Sequence, residues 1–108
     1  MSPGESVPRQ GEVWWAETED KRRPVLVVTR SDAVPVLRWV VVAPITRTMR
    51  DIRTEIRLGT DDGLTEGCVA SFDNLQTLRR ALLTQRVADT SPSRRAQICS
   101  ALASLADC

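Results

Sequence analysis

Lys21-Arg22-Arg23-Pro24 sets two guanidinium groups just before a residue of fixed backbone geometry. Proline locks its own φ and pushes Arg23 towards an extended conformation. An arginine held there is a permanently charged planar fork, able to grip a phosphate through two parallel hydrogen bonds. A second group is Pro44-Ile45-Thr46-Arg47, where an apolar run ends in a hydroxyl and another guanidinium. A third is Asp73-Asn74-Leu75-Gln76, whose carboxylate and amides are of the kind that hydrogen-bond base edges. Each group also has a plainer reading. The arginines would make a solvated basic turn before a core strand. The Asp73 segment would be a turn, or a single 3₁₀ turn, that uses Asp73 as its cap.

Strands must carry these groups. Gly11 to Ala16 reads as the first, and its adjacent Trp14 and Trp15 face opposite ways, so only one can enter a given core. The other packs under a helix or tail, or lies exposed on a binding surface. Pro24 to Thr29 is the second strand, apolar on both faces; the short Glu17–Lys21 connection favours an antiparallel hairpin. Leu37 to Ile45 is the third, and Pro44 cannot donate to a ladder, so pairing must end or bulge there. Thr46 to Arg53 is a polar, basic loop or one helical turn. In Thr54–Leu58 the alternation puts Thr54, Ile56 and Leu58 on one face and Arg53, Glu55 and Arg57 on an exposed one. Cys68–Phe72 and Ala81–Ala88 complete the strands. Ser91-Pro92 reads as the N-cap and first residue of a helix, with Ala96, Ile98, Cys99, Leu102, Ala103, Leu105 and Ala106 in an apolar stripe and Ile98 and Leu102 in the core. The expectation is a small, mainly β domain: five or six strands in a strongly bent sheet or open barrel, closed by the helix.

The chain has 108 residues, enough for one core and too few for two. Residues 1–9 read as a flexible tail and 10–108 as the single domain. No apolar run is long enough to span a membrane, and Met1 to Gln10 lacks the hydrophobic region of a signal peptide. Three cysteines, Cys68, Cys99 and Cys108, show no C-x-x-C spacing, so a disulfide framework is not expected and the cytoplasm is the default compartment. There is no histidine, which removes the commonest general base and zinc ligand; no metal and no cofactor is expected. Net charge is +1, but residues 21–57 hold nine bases against three acids. Fourteen of the fifteen bases are arginine, a bias that fits phosphate recognition and also fits a genome rich in arginine codons.

Gly11-Glu12-Val13-Trp14, then Arg22-Arg23-Pro24-Val25-Leu26-Val27-Val28, then Val41-Val42-Ala43-Pro44-Ile45-Thr46 resemble the MazF/PemK family. Thr54-Glu55 after a basic loop, Ser71-Phe72-Asp73-Asn74-Leu75-Gln76-Thr77-Leu78 and the terminal helix follow in the family's order. The resemblance covers residues 10 to 106, and the short first loop and Phe-Asp-Asn block are similar to mycobacterial and other actinobacterial members. It implies an SH3-like barrel, a homodimer and the toxin of a type II toxin–antitoxin module: a metal-independent mRNA interferase that cleaves single-stranded RNA and is neutralised by a MazE-like antitoxin lying across the RNA groove. The family's catalytic arginine matches Arg23 and its catalytic threonine or serine matches Thr46. Its base-contacting acid–amide pair matches Asp73 and Asn74. Arg22, Arg47, Gln76 and Glu17 complete the expected RNA-binding set. The chain departs from the family in lacking the Gly-Ser-Glu-Gln block of the first loop, where it has Glu17-Thr18-Glu19-Asp20-Lys21, and in carrying Gln10 before the first glycine.

RNA cleaves itself when a 2′-OH attacks the adjacent phosphate. A protein can help by fixing donors where charge develops, commonly worth about 3–4 kcal/mol per donor. Arg23 supplies a cation and Thr46 a hydroxyl. A guanidinium does not deprotonate near neutrality, so a base would be Glu17, Glu19, Asp73 or water. Two other classes fit the same fold: a CcdB-like toxin that binds DNA gyrase without cutting RNA, and a regulatory member that binds antitoxin and operator DNA.

Overall fold

A computed structural model describes residues 7–64, 66–90 and 94–106. Runs of β-branched residues bounded by turn residues become strands: β1 (Glu12–Glu17), β2 (Arg22–Val27), β3 (Trp39–Thr46), β4 (Glu55–Leu58), β5 (Cys68–Ser71), β6 (Gln76–Arg79) and β7 (Leu83–Asp89). The one α-helix among the described residues, α1, spans Arg94–Leu105. All pairing is antiparallel, in the order β4-β5-β3-β2-β1-β7, with β6 also on β3.

β3 organises the sheet by using its two edges differently. One edge pairs Val42, Ala43 and Pro44 with β2. The other pairs Trp39–Val42 with β6 and then Ile45–Thr46 with β5. As Pro44 requires, the β2 ladder ends there, yet the strand runs on to Thr46 because β5 takes over across the opposite edge. The 3₁₀ turn Phe72–Asn74 lies where β3 passes from one partner to the other.

Strand alternation gives the sheet two apolar faces. Leu26, Val28, Ala43, Ile56, Phe72 and Ile98 belong to the larger core, beneath α1. Trp14, Val25, Val27, Val34, Val40 and Val42 form the smaller one. Val7 packs against the smaller core and Pro8 is fully buried, so the described residues before Gln10 are part of the packed body. Gly11 has φ +88° and an added Cβ would sit 3.1 Å from Thr90 Oγ1, so a side chain there would be strained by the backbone and crowded by Thr90.

Several expectations need correction. Among the described residues there are seven strands, not five or six: Gln76–Arg79 pairs with β3 although only Leu78 points into a core, so its sequence carries almost no apolar signal. Glu55 does not face solvent with Arg57; its side chain is 2 % exposed. The apolar stripe of α1 is narrower than the periodicity implies. Ile98 and Ala101 are buried and Leu102 is half-buried, whereas Ala96, Cys99, Ala103, Leu105 and Ala106 are exposed. The expected N-cap, Ser91-Pro92, and Cys108 lie outside the described residues. No helix among the described residues is long and apolar enough to cross a membrane.

Candidate functional site

The β2–β3 register fixes the relation between the first two groups. Val25 lies opposite Pro44, and the same register carried two residues further sets Arg23 opposite Thr46, just beyond the last ladder pair. Directly opposed residues of an antiparallel pair project to the same side, with Cβ atoms about 4.5–5.5 Å apart where the ladder is regular. Arg23 is exposed and Thr46 is half-buried. Thr46 Oγ1 accepts the backbone N–H of Thr48 at 3.2 Å. That contact uses a lone pair and leaves the hydroxyl proton available for an external acceptor.

At the same strand ends, on the sheet face opposite Arg23, lies a cavity of about 470 Å³. Trp15, Pro24 and Ile45 line it as a row across β1, β2 and β3, joined by Thr46 and Arg47, with Gly63, Leu64 and Glu66 from the loop before β5. Gly63, at φ +84°, lets that loop turn back over the cavity. The Arg22 guanidinium lies 4.7 Å above the Trp15 ring. It is also bonded to Glu17 at 2.9 Å and to Gln85 at 2.6 Å. Arg47 pairs with Glu66 at 2.9 Å, both side chains remaining open to solvent. Cys68 also lines the cavity. Burial pushes its thiol above the usual range, helped by the negative charges of Asp62 and Glu66 and opposed by Arg47.

Thr46 and Arg47 line this cleft, Arg22 and Glu17 stand beside its Trp15 wall, and Arg23 follows Arg22 on β2 without lining the cavity. Asp73, Asn74 and Gln76 do not line the cavity; they follow β5 on the 3₁₀ turn and the start of β6. All three are exposed. Thr54 donates its hydroxyl to the Asp73 carboxylate and Asn74 donates to Ser71 Oγ at 2.9 Å, so the acid and amide are held in fixed orientations. Ser71, the residue at the cap position of the turn, makes no side-chain capping bond, and Asp73 is not the cap.

The chain that carries these groups has counterparts among known proteins. The family model that describes the PemK-like, MazF-like toxin of type II toxin–antitoxin systems matches residues 9–106. The chain belongs to that family. A Mycobacterium tuberculosis protein described as a probable endoribonuclease, MazF2, is 37 % identical over 101 residues, covering 93 % of this chain and 99 % of the relative. The solved Mycobacterium tuberculosis toxin MazF-mt6 superposes with a TM-score of 0.80 at 34 % identity, covering 87 % of this chain and 94 % of that one. A mycobacterial endoribonuclease solved in complex with its cognate antitoxin gives a TM-score of 0.80 at 28 % identity, with 92 % and 94 % coverage. The bent sheet with its closing helix is thus the MazF-type, SH3-like barrel.

In this MazF-like chain, two features of the cleft were not legible beforehand. Trp15 was readable only as the tryptophan left over from the core, and its stacking partner Arg22 emerges from the Glu17↔Arg22 register of the hairpin. Glu66 lies in an irregular loop, where spacing gives no orientation.

Proposed function

We propose that the chain is an endoribonuclease toxin of a type II toxin–antitoxin pair, acting as a homodimer that cuts single-stranded RNA at a recurring short sequence without a metal. The observation that supports this reading is the β2–β3 register, which ends at Val25 opposite Pro44 and, carried two residues on, would set Arg23 opposite Thr46 at the strand ends. In the reaction the 2′-oxygen bonds to phosphorus and the bond to the 5′-oxygen breaks. The 2′-hydroxyl loses a proton and the leaving 5′-oxygen gains one, giving a cyclic phosphate and a 5′-hydroxyl. Arg23 takes the role of fixed cation on the non-bridging phosphate oxygens. The Thr46 hydroxyl donates to the same developing charge.

The surrounding groups then bind RNA. Trp15 and Arg22 present an aromatic face backed by a cation, which suits an unstacked base. Arg47 takes a backbone phosphate. Asp73, Asn74 and Gln76 offer acceptors and donors to base edges, and Glu17 sets the orientation of Arg22. A MazE-like antitoxin covering this surface would silence the enzyme and restore translation and growth.

The test is cleavage of a long natural RNA by purified protein in EDTA, beside Arg23→Ala and Thr46→Ala. Cuts at a few recurring sites are expected, with each folded variant slowed about 10²–10³-fold. A matched DNA oligonucleotide, lacking the 2′-OH, should remain whole. Intact RNA with the wild-type protein would instead favour a gyrase-binding or purely regulatory toxin.

A further inference from the structure

Glu55 is buried and charged, and the reaction outlined above makes no use of it. We propose that it is a positioning residue: its carboxylate tethers the arginine-rich loop after β3 and thereby aims the Thr46 hydroxyl and Arg47 at the RNA phosphate. The inference rests on the ribonuclease reading.

Glu55 opens β4, two residues beyond Arg53. Its Oε1 accepts the backbone N–H groups of both Arg50, at 2.9 Å, and Asp51, at 3.0 Å. Successive N–H groups converging on one anion form a defined backbone conformation. Asp51 takes φ +58°, in the left-handed region, which is uncommon for residues other than glycine although Asp tolerates it better than most. Two further ties complete the arrangement. Thr46 Oγ1 receives Thr48 N–H where the loop begins, and Asp51 Oδ1 receives Arg57 Nη2 at 2.8 Å from β4. The segment between Thr46 and Leu58 is thus held by one buried carboxylate through the Arg50 and Asp51 amides, with Arg57 tied back to Asp51.

The second oxygen of Glu55 sharpens the point. Oε2 is buried and has no hydrogen-bond partner among the described residues; the Arg50 guanidinium stands 3.8 Å away. A buried carboxylate with an unsatisfied oxygen weakens a fold. A neutral or apolar residue at the edge of β4 would avoid that penalty, but it would leave the Arg50 and Asp51 amides unanchored. With its side chain 2 % exposed, Glu55 cannot reach RNA, so it acts through the loop and not as an acid or base.

Tethering of the loop and a bare effect of charge separate on Glu55→Gln and Glu55→Ala. Glutamine keeps a carbonyl oxygen for both amides; alanine keeps nothing. For the full chain, single-turnover cleavage of an RNA bearing one mapped site would be read with amide exchange at Arg50 and Asp51. We expect Glu55→Gln to stay within about threefold of wild type. Glu55→Ala should lower the cleavage rate constant about tenfold or more, change KM less, and accelerate exchange at both amides. Asp51→Gly, which frees the loop backbone and leaves Glu55 in place, should slow cleavage in the same sense, and it carries the test should Glu55→Ala not fold. An unchanged rate constant in Asp51→Gly or in folded Glu55→Ala, with exchange accelerated, overturns the proposal. So does a glutamine variant as impaired as alanine while its amides stay protected, since charge would then matter in place of tethering. If the wild-type protein cuts no RNA, the ribonuclease reading itself fails, an outcome distinct from these.

Discussion

The Arg22 guanidinium lies 4.7 Å over the Trp15 ring, while its Nε is bonded to Glu17 across the β1–β2 hairpin. A tryptophan on an outer sheet position would otherwise present bare apolar surface. Here the cation covers one part of the ring and the cavity opens beside it.

The pair should therefore act as a unit in RNA binding. In a Thr46→Ala background that prevents turnover, Trp15→Ala should weaken affinity for a short RNA about tenfold or more, given about 1–3 kcal/mol per stacked base. Arg22→Ala should weaken it less. The double variant should fall short of the sum by about 0.5–1 kcal/mol, the size of an exposed cation–π contact. Strictly additive losses in a binding titration would mean that Arg22 and Trp15 meet RNA independently.

Arg47 is engaged by Glu66 at 2.9 Å before any ligand arrives. Both side chains are solvent-exposed, so the pair itself adds little to stability. It does set a competition, because a phosphate that takes Arg47 must displace Glu66. Glu66→Gln should thus tighten RNA binding and steepen its salt dependence, by about 0.7 in slope for one more phosphate contact on a single strand. Binding of an acidic antitoxin peptide should likewise weaken sharply with salt. Filter-binding series across ionic strength would check both, and a slope unmoved by Glu66→Gln would remove the competition.

The outline of the fold was legible because local signals agree. The short link before Arg22, the proline-bounded β2 and the break imposed by Pro44 each have one mechanical meaning, and the β2–β3 pairing then brings the strand ends that carry Arg23 and Thr46 together. Legibility ended where partners are remote in sequence. β6 owes its pairing to the exposed edge of β3 and shows one inward residue, Leu78. Glu55 occupies an alternation that reads as solvent-facing, yet the preceding loop folds back over it. Asp73 reads as a cap and is instead the acceptor of Thr54, nineteen residues earlier. Alternation specifies a face of a strand; it does not specify what covers that face.

The wall of the cavity depends on a buried ion pair. Asp62 accepts Arg94 Nε at 3.0 Å and Nη2 at 2.9 Å, and its side chain is 2 % exposed. It also receives the Gly59 N–H at 3.0 Å, so one carboxylate joins the turn preceding Gly63 and Leu64 to the first residue of α1. Arg94→Leu would strand that carboxylate in the interior and should cost about 3–5 kcal/mol in urea unfolding. Asp62→Asn with Arg94→Leu, which removes the charge as well, should recover much of the loss. A single variant within about 1 kcal/mol of wild type would show that solvent reaches Asp62.

Cys68 gives the pH prediction. Burial raises its thiol pKa, Asp62 and Glu66 raise it further, and Arg47 opposes them less strongly. The folded protein therefore favours the protonated thiol more than the unfolded chain does. Its contribution to stability is fully present below the ordinary thiol pKa and is lost as pH rises through the higher folded value, because unfolding then releases a proton the fold retains. Unfolding free energy should fall on the alkaline side and Cys68→Ala should flatten that fall, apart from a pH-independent loss of packing. At neutral pH the same protonation makes Cys68 a poor nucleophile. Iodoacetamide should modify exposed Cys99 well before Cys68, and RNA cleavage should survive that first alkylation. Peptide mapping over time would read the order, and early modification of Cys68 would mean that its thiolate is accessible in the native cleft.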